Sequence, residues 1–324
     1  MRVFITGGAG FIGSHLATRL IRDGHQVSVL DDLSTGSMAN IAHLRDEPGF
    51  EYRIGSTRDL PLVTEMVDLA DVTVHLAAAV GVRLIVERPI HTIETNVGGT
   101  ETVLAAASKK NRPVLLASSS EVYGNSTKFP FKEDDDLVLG PTTHSRWAYA
   151  CSKALDEWLG FAYMRERGVP VTICRFFNTV GPGQTGRYGM VLPNFVRQAL
   201  IGAPITVYGS GEQTRCFGHV ADVVEALVRL MQTEAARGQV FNVGNDEEVS
   251  ILELAERVRR AAGSSSPIRL VPYEEAYAAG FEDMMRRGPD VSKLFTTIGF
   301  RPTIKLDEII EDVMNHERSR QGRE

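Results

Sequence analysis

A chain of 324 residues with 43% hydrophobic content has enough apolar material for one large or two medium cores. Its formal net charge of −6 argues against a general nucleic-acid or membrane-surface binder, so an anionic ligand would need local arginines. Three cysteines, Cys151, Cys174 and Cys216, contain no CxxC pair and fit buried thiols in a reducing compartment, with neither a disulfide nor zinc expected. The first residues read as a strand rather than a charged start with an apolar leader, and no apolar run reaches about 18 residues. Neither a secretion signal nor a membrane span is therefore expected, and the location implied is the cytoplasm.

The β-branched and aromatic run Met1 to Thr6 stops at a cluster of glycines, Gly7, Gly8, Gly10 and Gly13. Ile12, Leu16 and Leu20 then recur every four residues and predict a helix ending near Gly24. Strand, glycine turn and helix in that order suit a pyrophosphate. The early glycines let the backbone turn and approach it, Gly13 lets helix pack on strand, and the helix N-terminus offers amides and a dipole. Gln26 to Asp31 predicts a second strand with an acid at its tip, 18 residues beyond Gly13. An acid there accepts hydrogen bonds from an adenosine ribose and repels a 2′-phosphate. No basic residue follows in Asp32-Leu33-Ser34-Thr35, so NAD is expected over NADP.

Short apolar strands continue to alternate with amphipathic helices as far as Phe176, the pattern of an α/β doubly wound parallel sheet. Val72 to Leu76, Val114 to Ser118 and Val171 to Phe176 are the later strands, with helices from about Pro89 to Ala107 and Trp147 to Arg167. Ligands of such sheets gather at the carboxyl ends of strands, which directs attention to the segments after Leu76, Ser118 and Phe176. Beyond Phe176 the texture loosens. A helix at Val191 to Leu200 and a strand at Ile205 to Tyr208 suggest a smaller C-terminal α/β substrate lobe, residues 177–324, attached to a dinucleotide-binding domain of residues 1–176. The helix Val220 to Met231 and strand Val240 to Val243 could return to the first domain, giving residues 216–243 to it and interleaving the two. Ile251 to Ala262 and Leu306 to Met314 are further helices, and the tail after Asn315 is expected to fray.

Tyr149 and Lys153 are four apart on a predicted helix and share a face. An ammonium beside a phenol favours phenolate and draws its pKa below the usual value of about 10, toward that of a working base. The same spacing also arises on ordinary helix surfaces. Ser118-Ser119-Ser120-Glu121 ends the fifth strand, where hydroxyls could hydrogen-bond a sugar hydroxyl losing its proton. Such a serine run can equally satisfy its own backbone.

The glycine turn, the serine patch and the Tyr149/Lys153 pair together resemble the extended short-chain dehydrogenase/reductase family, in particular its NAD-dependent sugar-nucleotide epimerases and dehydratases. Further matching stretches are Leu76 to Ala79, Asn96 to Thr100, Arg175 to Pro182, Val207 to Gly209, Gln213 to Arg215, and Arg286-Arg287-Gly288-Pro289-Asp290. The resemblance implies a Rossmann-type fold with bound NAD and a UDP-sugar partner, and commonly a homodimer through the Pro89 to Ala107 and Trp147 to Arg167 helices. It implies that Ser119 takes the catalytic Ser/Thr position, that Tyr149 is the base, and that Lys153 binds the nicotinamide ribose and tunes Tyr149. Gly7, Gly10, Phe11, Ile12, Gly13, Leu76, Ala77, Ala78, Asn96, Ser118 and Phe176 would lie along the cofactor. Asp31, Asp32, Thr35 and Gly36 would hold the adenosine ribose, and Ser56 and Thr57 the adenine, although many members carry Asp where this chain has Ser56. Asn178, Arg215 and Arg287 would serve the UDP moiety, with Thr206 and Tyr208 near the uracil and Val191 also in the substrate site. No metal is implied.

The first step in that subfamily is oxidation of the sugar at C4. A 4,6-dehydratase carries Asp-Glu where this chain has Ser120 and Glu121, so dehydration is disfavoured. Gly81-Val82-Arg83 looks like a stretch of UDP-glucuronate 4-epimerases. Ser119 to Gly124 and the Val207 to Arg215 region look like UDP-glucuronate decarboxylases, in which a glutamate at the place of Glu121 belongs to the catalytic set with the neighbouring hydroxyls. The motifs conflict. A 4-keto glucuronate is a β-keto acid, so an epimerase must clamp its carboxylate, for which Arg187 is a candidate. The expectation is UDP-glucuronate 4-epimerase, with the decarboxylase, a UDP-glucose or UDP-N-acetylglucosamine 4-epimerase, and a non-catalytic NAD-binding regulator as alternatives.

Overall fold

A computed structural model of the chain describes residues 1–81, 88–144, 147–186, 190–276 and 284–321. Its centre is a seven-stranded sheet in which every neighbouring pair is parallel. β1 (Arg2–Thr6) lies in the middle, flanked by β2 (Gln26–Asp31) and β3 (Phe50–Ile54) on one side. β4 (Val72–His75), β5 (Val114–Ser119), β6 (Val171–Phe176) and the late strand Val240–Val243 run outward on the other. The chain thus reverses its direction of growth between β1 and β4, and a crevice opens there beyond the strand ends. As the pattern suggests, Val240–Val243 returns to this sheet, in register with Ile173 to Phe176.

β3 and the helix Leu60–Leu69 are elements that the apolar pattern does not announce. The reason is position: β3 is the sheet edge, and Glu51, Arg53 and Ile54 face solvent, so no continuous apolar run marks it. The helix is started by Asp59, whose carboxylate accepts the Leu62 amide at 3.1 Å, and by Pro61 in its first turn.

Apolar residues cover both faces of the sheet. Leu16, Leu20, Val223 and Leu227 cover one, from the helices Phe11–Arg22 and Val220–Gln232. Val63, Val67, Val103 and Leu104 cover the other, from Leu60–Leu69 and Pro89–Ser108, the latter packed on Trp147–Arg167. A separate core joins Leu192, Phe195, Ile205, Leu254, Ile309 and Val313. The last of its helices runs unbroken from Leu306 to Gln321, so the expected fraying after Asn315 is wrong. Ile309, Ile310, Val313 and Met314 anchor its first half, and the hydrogen-bonded turns continue past them.

The helix Trp147–Arg167 is fastened to the sheet by a buried ion pair. Strand register sets Ser118 beside Arg175, and both meet Glu157. Its carboxylate accepts from Ser118 Oγ at 2.5 Å and from Arg175 Nε and Nη2 at 2.9 and 2.7 Å. Breaking such a pair leaves an uncompensated charge. Glu157→Ala should therefore lower unfolding free energy by about 3 kcal/mol or more, read from urea titrations of variant and parent.

Candidate active site

The glycine turn has the shape that a dinucleotide requires. Gly7 sits at φ 71°, and a Cβ there would fall 2.8 Å from the Ala77 amide nitrogen. A Cβ on Gly13 would fall 2.3 Å from the Gly7 carbonyl oxygen. Gly10 caps the helix Phe11–Arg22 with no side-chain hydrogen bond, and no acid lies in the first turn. The first amides of that helix are thus left to an anion. At the tip of β2 the Asp31 carboxylate accepts from the Ala9 and Leu33 amides at 2.9 and 2.8 Å. It braces the glycine turn as well as facing the crevice. Burial, more than any neighbour, pushes its carboxyl above the ordinary range.

The crevice widens into a cleft of about 1660 Å³. A drug-sized ligand fills roughly 300–1,000 Å³, so two nucleotides fit side by side. Tyr149 and Lys153 line its floor with Ser118, Ser119, Ser120 and Glu121. Tyr149 hydrogen-bonds Ser119, and both Tyr149 and Lys153 are buried. The expected acidification of the phenol is not found in the free chain. Burial raises the Tyr149 pKa and outweighs the opposing pull of Lys153 and Ser119, while Glu121 and Asp156 push it further up. For Lys153, burial alone would lower the pKa, but Asp156, 2.9 Å from Nζ, turns the balance upward.

The opposite wall carries Asn178, Val191, Thr206, Tyr208, Arg215 and Arg287. Arg287 pairs through Nη1 with Glu121 and donates from Nη2 to Asn178 Oδ1 at 2.6 Å. Arg215 is tied by Nη1 to the carbonyls of Thr214 and Met284 at 2.7 and 2.8 Å. Two arginines and an amide therefore converge on the same wall, suited to a diphosphate.

Most residues singled out in the sequence reach this cleft. Gly7, Gly10, Phe11, Ile12, Gly13, Asp31, Asp32, Thr35, Gly36, Thr57, Leu76, Ala77, Ala78, Gly81 and Phe176 line it. Two do not. Ser56 is exposed and turns its hydroxyl to its own loop, accepting the Arg58 amide at 3.1 Å. Asn96 is fully buried behind the cleft, accepting from the Ala79 amide at 2.8 Å and donating to Ser152 Oγ at 3.0 Å. It shapes the Leu76 to Ala79 wall from outside. Val82, Arg83 and Arg187 lie outside the described residues. Sequence reasoning misses Gln198, Tyr273 and His316, which also line the cleft, and the buried acids Asp156 and Glu157. The acids carry a signal, since they stand three and four residues past Lys153 on its helix face. The others come from distant segments and carry none. Among the described residues no group of three or more His, Cys, Asp or Glu is arranged to hold a metal, and no helix is long and apolar enough to cross a membrane.

A glycine-cradled crevice beside a buried tyrosine and lysine defines an NAD-binding α/β enzyme of the short-chain dehydrogenase/reductase type. Residues 3–244 match the model of the NAD dependent epimerase/dehydratase family, and the chain belongs to that family. It is 41% identical to a UDP-N-acetyl-alpha-D-glucosaminuronate decarboxylase of Bacillus cytotoxicus, over 97% of this chain and 96% of that protein. It is 38% identical to UDP-glucuronic acid decarboxylase 1 of Danio rerio, over 95% of this chain and 70% of that protein. Among solved structures it resembles UDP-glucuronic acid 4-epimerase of Bacillus cereus, solved with UDP-glucuronic acid and NAD, with a TM-score of 0.89. That match is at 25% identity and covers 98% of this chain and 99% of that one.

Behind Lys153 lies His75, held by Thr6 Oγ1 at 2.7 Å and Thr100 Oγ1 at 3.3 Å. Burial, with the Lys153 charge second, pushes its pKa down to about 3. The folded state thus resists protonation that the unfolded chain, titrating near 6.5, accepts. Stability from this group is complete above about pH 6.5 and is lost toward pH 3, at up to about 1.4 kcal/mol per pH unit. His75→Gln should flatten that part of the stability curve, measured by urea midpoints between pH 7 and about 4.

Proposed function

We propose that the chain is an NAD-dependent decarboxylase of a UDP-linked uronic acid, either UDP-glucuronate or its 2-acetamido counterpart, acting through a 4-keto sugar. The observation that carries this reading is Glu121, held by Arg287 in the same cleft as Ser119 and Tyr149. The 4-epimerase expected from the sequence leaned on Gly81-Val82-Arg83 and Arg187, of which only Gly81 is described. Relatives matched over most of the chain and named as uronate decarboxylases add support.

Tyr149, as phenolate, takes the proton of the sugar 4-hydroxyl, which Ser119 holds by hydrogen bond. NAD, when bound, supplies the hydride acceptor for C4 and the donor for its later reduction. The resulting 4-keto uronate is a β-keto acid. Its C5–C6 bond breaks as CO2 leaves, with the bonding electrons passing to the C4 oxygen, where the Tyr149 phenol donates its proton. Glu121 is assigned delivery of a proton to C5 as the enol proton returns to Tyr149, which gives it back to the C4 oxygen when hydride returns to C4; Arg287 and Arg215 are assigned the diphosphate.

A second reading, UDP-glucuronate 4-epimerase, is favoured by the likeness to the Bacillus cereus enzyme. Incubation of the NAD-loaded protein with each uronate under proton NMR decides between them. UDP-xylose or its 2-acetamido analogue with released CO2 is expected. UDP-galacturonate without CO2 would replace the proposal with the epimerase, and no change in any UDP-sugar would favour a regulator. Tyr149→Phe should lower turnover by about 10²-fold or more while NAD stays bound. Glu121→Gln should slow CO2 release by a comparable factor. A homodimer is inferred through the exposed Ile90, Ile93, Leu155 and Trp158 on two adjacent helices. Gel filtration giving a monomer would remove it.

A further inference from the structure

Lys153 and Asp156 are among the most deeply buried charges among the described residues, with side chains 2% and 0% exposed. Asp156 stands three residues along the helix, so its carboxylate lies on the lysine's face, and Oδ2 accepts from Nζ at 2.9 Å. Its Oδ1 makes no hydrogen bond of its own, though the Thr100 hydroxyl neighbours the carboxyl. Thr100 in turn reaches His75, and His75 reaches Thr6, whose hydroxyl accepts from the Ala77 amide at 3.2 Å in the cleft wall. A buried polar chain therefore runs behind the site from the lysine to the loop beside the glycine turn. Packing alone does not ask for this, because a hydrophobic pair of similar volume costs less to bury than two charges.

We propose that Asp156 is a positioning residue for Lys153, keeping its buried ammonium protonated and aimed so that it can act on Tyr149. The inference rests on the reading of Tyr149 as the base. The charged and titratable groups facing the pair are few. Around Lys153 stand Asp156, Tyr149, Glu157 and, across the helix interface, His75. Around Tyr149 stand Lys153, Ser119, Glu121 and Asp156. Glu157 is already engaged by Arg175 and Ser118 and acts on Lys153 less than Asp156 does, and buried His75 stays neutral, so among the described residues Asp156 is the main counter-charge to the lysine.

Asp156 acts on the phenol in two opposed ways. Directly, a nearby negative charge disfavours phenolate. Indirectly, it retains the positive charge that favours phenolate. A buried lysine without a counter-ion loses its proton several units early, hence before a phenol of ordinary or raised pKa ionises. The indirect effect then wins, because Lys153 acts on Tyr149 more strongly than Asp156 does. Removing Asp156 should make Tyr149 a weaker acid, against the naive expectation for deleting a neighbouring negative charge.

The test is a substrate-free titration of the NAD-loaded full chain labelled with 13Cζ-tyrosine and 13Cε-lysine, with resonances assigned by their loss in Tyr149→Phe and Lys153→Met. In the parent protein Lys153 stays protonated through the Tyr149 midpoint. Lysine ionising first would overturn the proposal without any variant at Asp156. In Asp156→Asn the order reverses and the Tyr149 midpoint rises by about one pH unit, a tenfold loss of phenolate at fixed pH. Asp156→Asn placed on Lys153→Met leaves no unpaired buried charge, and there only the direct effect remains, so the midpoint falls. An unchanged midpoint in the single variant, or a shift of the same sign in both backgrounds, marks Asp156 as merely structural. Because no substrate is used, a protein that turns over no UDP-uronate still reports on the role of Asp156.

Discussion

The Glu157 carboxylate governs the geometry of everything around it. It receives a hydroxyl from the end of β5 and a guanidinium from β6 while belonging to the helix that carries Tyr149, Lys153 and Asp156. Two strands and one helix are thereby locked at a single buried point. Ser119 follows directly after Ser118, and Tyr149 lies two helical turns before Glu157, so the hydroxyl and phenol meet because the charges behind them have already met. In a low-dielectric interior a pair of this kind tolerates little displacement, since each small separation exposes an uncompensated charge.

Around that lock the cleft has two walls of different character. The wall built on the sheet is steric: glycines whose missing side chains leave room, and helix amides left open for an anion. The wall built on the second core is electrostatic, with Arg215 and Arg287 drawn in from separate short strands. Glu121 bridges them, because it follows the serine patch of one wall and pairs with Arg287 of the other. A ligand diphosphate entering this cleft meets arginine already partnered by a carboxylate.

Burial sets the chemistry of the floor more than pairwise charge does. Tyr149 is raised by desolvation despite its lysine, and His75 is held neutral for the same reason. In the free chain burial thus favours the protonated phenol of Tyr149 more than Lys153 favours its ionised form. Ionisation of that phenol is favoured by positive charge held close by, which among the described residues Lys153 supplies.

The amino-acid sequence by itself determined the elements with strong local signatures. The glycine turn, the acid ending β2, the buried strands and the Tyr149 to Lys153 spacing are short-range patterns, and the folded chain places each of these in one cleft. What it could not determine was anything decided by meetings between distant segments. Edge strand β3 carries no apolar run, Asn96 is drawn behind the cleft by the Ala79 amide and Ser152, and Arg287 meets Glu121 from 166 residues away. Local periodicity reports which face of an element is apolar. Desolvation and pairing of charges depend on what packs against that face, and only the tertiary structure decides that.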